Sequence, residues 1–239
     1  MSTITDICTE IAEKIPQVYE AGKKAEHDAF WPNYVNERAN DFDYMFAGQR
    51  WTNTIFKPPA VTLKPRRAMY MFARSGITGD LAKIFNDLGF AVDFSNCAYI
   101  DDMFNNSAFT RIGVLDFSGA VSSSNRVFIN AKVVTIDKII VSENTKSFNA
   151  WFSGCTNLER ITFEGTINKN IDFKECKKLT QDSIKSIMKA RSETASFTIT
   201  FSKDAVDNAF KTPEGVAGSE SAEWLELVGK TPYVKIDLA

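Results

Sequence analysis

One line of residues returns three times: Phe94-x-x-Cys97-x-x-Ile100, Phe152-x-x-Cys155-x-x-Leu158 and Phe173-x-x-Cys176-x-x-Leu179. Looser copies put Met103, Asn106 and Phe109, and then Phe128, Ala131 and Val134, at the same spacing. Three copies run on into short segments that read as strands, Ile112 to Phe117, Ile136 to Val141 and Ile161 to Phe163. Val114 to Ile139 spans 25 residues and Ile139 to Ile161 spans 22, a period that belongs to short solenoid coils. A coil of one strand and one irregular return cannot bury its apolar side alone, so such repeats make a core only by stacking. Equivalent positions then superpose, which predicts a ladder of Phe94, Phe152 and Phe173 beside a second ladder of Cys97, Cys155 and Cys176. The chain holds 19 Phe against 9 Leu, so aromatic rings fill the coil interior.

The residue inventory narrows the chemistry. A single histidine, His27, has no nameable partner for a triad or a zinc site. The four cysteines, Cys8, Cys97, Cys155 and Cys176, form no Cys-x-x-Cys pair and read as reduced, metal-free core thiols. No phosphate-cradling glycine loop and no nucleophile elbow occurs. These observations point to a chain without catalytic residues, cofactor or metal. The acid pairs Asp41 with Asp43 and Asp101 with Asp102 leave a carbohydrate-active enzyme as the lowest-ranked alternative. Net charge is −2 with no charge block, which disfavours nucleic acid as a partner. No apolar run reaches the roughly 18 residues of a membrane span, and the N-terminus lacks a secretory signal, so synthesis in the cytoplasm without membrane insertion is expected.

Four regions follow along the chain. Residues 1–40 read as an N-terminal helical segment, one helix near 3 to 14 and a second from about Pro16 to Phe30. Ile4, Ile7 and Ile11 make an apolar seam on the first, a candidate helix-pairing surface for a sister subunit or an assembly partner. Residues 41–89 read as a connector and N-terminal cap, with Ala68 to Phe72 expected as a buried strand and Gly79 to Leu88 as a helix. Residues 90–180 are the repeat array. Residues 181–239 read as an α/β cap: a helix capped by Thr180, a strand from Phe197 to Phe201, then a helix from Ser202, a helix from Ser221 to Val228 and a last strand from Tyr233.

The line from Phe152 through Cys155, Leu158 and Ile161 to Phe163 resembles the BspA-like class of leucine-rich repeats, which occurs in bacterial surface proteins and in proteins encoded by phages and prophages of Gram-positive bacteria. Val18 to Lys23, Phe30-Trp31, Trp51-Thr52 and Phe56-Lys57-Pro58 look like the N-terminal part of the phage-borne members. The copies at Met103 and Phe128 depart from the pattern by lacking Cys. The resemblance implies a short right-handed solenoid between N-terminal helices and α/β capping segments. It also implies a non-enzymatic component of the tail or baseplate region that presents a protein- or glycan-binding surface, and hence a place in the virion. The alternative is a cytoplasmic phage-encoded inhibitor of a host or defence enzyme. Strand alternation turns Asp93, Arg111, Lys138, Arg160, Thr162, Glu164, Asp172 and Lys174 outward, making them the candidate partner-binding face.

Overall fold

The computed structural model describes residues 41–43, 47–48, 61–88, 90–230 and 234–239. The expected N-terminal helices, His27, Cys8 and the Lys57-Pro58-Pro59 step lie outside the described residues. Among the described residues there are nine strands: β1 Val61–Leu63, β2 Gly79–Asp80, β3 Phe90–Val92, β4 Phe109–Asp116, β5 Thr135–Val141, β6 Arg160–Gly165, β7 Ile171–Phe173, β8 Phe197–Phe201 and β9 Val234–Leu238. Four α-helices accompany them among the described residues: α1 Leu81–Leu88, α2 Gln181–Lys189, α3 Lys203–Ala209 and α4 Ala222–Gly229. The strands form three sheets, β1-β3, β2-β4-β5-β6 and β7-β8-β9, and every pair in them is parallel. The protein is therefore a mixed α/β structure on parallel sheets. A narrower parallel ladder of single bridges runs Asp41 to Arg67 to Tyr99 to Ser123 on another side, so the hydrogen-bonded stack begins N-terminal to residue 90.

The turns that precede the strands carry the regularity. Tyr70 and Arg74, Asp102 and Asn106, Arg126 and Asn130, and Ala150 and Gly154 all have positive φ, from 53° to 74°. Each pair is four residues apart and brackets a buried pair, Met71-Phe72 (with Ala73 buried beside it), Met103-Phe104, Val127-Phe128 and Trp151-Phe152. Left-handed backbone at both ends turns the chain sharply and points the Phe inward. Ala68 to Phe72 is accordingly a turn and not the expected strand. Its N–H groups bond outward to the next turn, Phe72 N to Met103 O at 2.8 Å, followed by Phe104 N to Val127 O at 2.7 Å and Phe128 N to Trp151 O at 3.0 Å.

Among the described residues six rings stack along this axis: Phe72, Phe104, Phe128, Phe152, Phe173 and Phe201, with successive centroids 4.8 to 5.8 Å apart and planes within 19° of each other. Phe152 and Phe173 sit where the repeat predicts, but Phe94 does not. Its ring meets Phe117 edge-on at 5.9 Å, in the turn that follows a strand and not the one that precedes it. Cys97 goes with it, while Cys155 and Cys176 lie in the column of Ser107 and Ala131, each closing its N–H onto the stacked Phe three residues earlier.

The strand register also differs from the expected one. Leu115, Ile139 and Phe163 are partners across β4, β5 and β6, whereas Val114 pairs beside Lys138 and is exposed. In β4 and β5 two residues separate the buried pairs Ile112/Leu115 and Ile136/Ile139, against one in β6 between Ile161 and Phe163. The extra residue is a bulge that turns Val114 outward, and the register shift at Ile136/Ile139 marks where it ends. Phe152, Cys155, Leu158, Ile161 and Phe163 are all buried. At the C-terminal end α2, capped by Thr180, replaces a further strand, and Phe201 is closed over by Trp224 of α4, whose ring also meets Phe210.

Candidate binding face

The outer side of β2-β4-β5-β6 is tied across strands by charge. Arg111 reaches Asp137 on β5, with Nε and Nη2 at 3.0 and 2.8 Å, and Asp80 on β2 at 3.1 Å. Those two carboxylates, Asp137 foremost, hold its guanidinium more firmly protonated. Lys138 pairs with Glu164 on β6 at 2.6 Å. Arg160 donates to the Thr135 hydroxyl at 3.3 Å, and Thr162 stands exposed between Arg160 and Glu164. The structure thus brings five predicted residues, Arg111, Lys138, Arg160, Thr162 and Glu164, onto one surface.

The other three lie elsewhere: Asp93 just after β3, Asp172 within β7 and Lys174 in the turn that follows it. Asp93 accepts from the Ser95 amide at 3.0 Å and is held below the ordinary carboxylate range mainly by Ser95, with Lys64 3.9 Å away. Asp172 accepts from the Lys174 amide at 2.8 Å, and the two side chains pair with each other at 3.5 Å. Ile4, Ile7 and Ile11 lie outside the described residues.

A second polar ladder follows the left-handed turns. Asp102 is buried, and Arg126 grips it through Nε at 3.0 Å and Nη2 at 2.6 Å, a two-pronged contact that raises the guanidinium pKa. Asp43 accepts from Arg67 at 2.8 Å and from the Met69 amide at 2.7 Å, yet burial outweighs both and pushes its pKa up. Arg67 lies over the Tyr99 ring, 4.7 Å from its centre. Asp101 accepts from the Asn125 amide and side chain at 3.1 and 2.9 Å through one oxygen, leaving the other buried and unbonded. The acid pairs that suggested sugar chemistry are thus held in contacts with Arg67, Asn125 and Arg126, each about 24 residues further along the chain.

Asp80, Asp137, Thr135 and Arg126 were absent from the predicted set. The available signal was Met103-Phe104 followed by Val127-Phe128, 24 residues on, a step that puts residues 24 apart, such as Asp102 and Arg126, side by side. Among the described residues no three His, Cys, Asp or Glu side chains gather to hold a metal ion, and no helix is long and apolar enough to cross a membrane. No protein-family model, curated protein or solved structure matches the chain.

Proposed function

We propose that the chain is a short right-handed leucine-rich-repeat solenoid of the BspA-like kind that works without catalysis, presenting the outer face of β4, β5 and β6 to a protein or glycan partner. The handedness follows from the crossover rule for parallel strands. The observation that carries the proposal is the lateral register of the inward residues Ile112, Ile136 and Ile161, which leaves Arg111, Lys138, Arg160, Thr162 and Glu164 together on the outer side of the sheet. Ion pairs between strands hold those side chains in fixed places, so the surface is ordered before any partner arrives. The resemblance of the repeat and of the N-terminal segment to phage-borne proteins supports a place near the tail or baseplate. Mass spectrometry of particles purified from a strain that expresses the chain tests this directly. A stoichiometric amount in the particle is expected; absence from particles overturns the virion placement and favours an intracellular binding partner.

A further inference from the structure

We propose that two copies of this chain join end to end through the free edge of β9, which pairs antiparallel with its counterpart about a two-fold axis at Ile236. Among the described residues β9 pairs with β8 alone. The coil it closes is open on the other side. Ile199 and Phe201 of β8 have no exposed surface, whereas their register partners Ile236 and Leu238 are only half-buried. On α4, Glu223 turns toward α2, accepting from Gln181 at 3.0 Å and pairing with Lys185. Leu225, about 200° further round the same helix, points away from α2 and is 59% exposed. A stacked array stays soluble by closing on a polar unit, and here apolar side chains stand beside an unpaired strand edge.

The backbone groups on that edge match a second β9. Ala239 N–H donates to Phe201 O at 3.0 Å, and Ala239 O accepts from Lys203 N at 2.9 Å. Alternate residues of a strand bond to alternate neighbours, so Lys235 and Asp237 also bond toward β8, and Val234, Ile236 and Leu238 turn their N–H and C=O groups to the free edge. The axis at Ile236 sets these three against their like: Ile236 opposite the copy's Ile236 and Val234 opposite the copy's Leu238, all at hydrogen-bonded positions. Lys235 then meets the copy's Asp237 at the closer, non-bonded positions, a favourable cross-strand pair. Within one chain these two side chains lie 3.0 Å apart and are partly exposed, so the dimer gathers four charges of alternating sign. The outer face of β4, β5 and β6 takes no part, and the inference stands independently of what binds there.

The test is light scattering of the full chain over a concentration series reaching about 1 mM, with hydrogen exchange at both ends of the series. The mass should rise to that of a dimer, and Ile236 and Leu238 amides should exchange about tenfold or more slower at the concentrated end while Ile199 keeps its rate. Asp237→Lys sets like charges opposite each other and should weaken the dimer about tenfold or more. Lys235→Asp/Asp237→Lys exchanges the two charges and should restore it. A monomer throughout, Ile236 and Leu238 amides indifferent to concentration, a dimer as strong with Asp237→Lys, or a double variant as weak as the single one each overturns the proposal. If Asp237→Lys loses the fold, Lys235→Glu at the more exposed position decides, and an undiminished dimer there overturns it.

Discussion

Ser107 is buried with its hydroxyl unbonded, in the column that Ala131, Cys155 and Cys176 continue. A buried hydroxyl without a partner costs desolvation that a methyl group does not. Ser107→Ala is therefore expected to raise stability by about 1 kcal/mol in denaturant unfolding, and a loss of stability would contradict the assigned column. The thiols give a pH signature at the same scale. Burial pushes Cys97 and Cys155 up to about 12, and Cys176 is raised as well. An unfolded thiol ionises near about 8.5. Above that pH the unfolded chain sheds protons that the folded chain keeps, so stability falls as pH rises toward about 12 and is untouched below about 8. Urea unfolding from pH 7 to 11 should show this decline, and Cys155→Ala should make it shallower. A slope that ignores the substitution would mean the Cys155 thiol is not buried in the folded state.

At the scale of elements, the sequence makes the strands and the C-terminal helices legible and hides the register. Alternation locates β4, β5, β6 and β8, and Thr180 marks the start of α2 because its side chain caps the Ser183 amide. The Phe-x-x-Cys line misleads because it fits two different turns. In both, the small residue closes its N–H onto the Phe carbonyl, Cys97 onto Phe94 at 2.8 Å and Cys155 onto Phe152 at 3.1 Å, although the first turn follows strand β3 and the second precedes strand β6. The left-handed positions escape a reading by residue type, since Tyr70, Asp102, Arg126 and Ala150 share only a backbone angle. Outward side chains such as Arg111 and Lys138 are readable from alternation, but their partners lie 26 residues away on the neighbouring strand and need the register first. Close strand packing gives a sharp test here. Gly165 ends β6 at φ +92°, and a Cβ there would stand 1.8 Å from the Val141 carbonyl oxygen. Gly165→Ala should cost about 3 kcal/mol in unfolding experiments, and a neutral result would mean that β5 and β6 do not approach as described.

Across the whole molecule, one column of rings joins the turn at Phe72 to the strand at Phe201, so the repeats and the C-terminal α/β segment share a core. Phe152 has stacked rings on both sides and no exposed surface. Phe152→Ala should cost about 3 to 5 kcal/mol through lost burial and the cavity left behind, a large part of a typical domain's stability, as chemical denaturation would show. Fixed outward positions on the strand face depend on this stacking, because a shift by one residue would exchange inner for outer side chains. The most direct test of that arrangement is the pattern of nuclear Overhauser contacts in a sample labelled only at phenylalanine. Ring-to-ring contacts should link Phe72 to Phe104, Phe104 to Phe128, Phe128 to Phe152, Phe152 to Phe173 and Phe173 to Phe201, with Phe94 touching Phe117. A contact between Phe94 and Phe152 or Phe173, or the absence of the Phe128 to Phe152 contact, would contradict it.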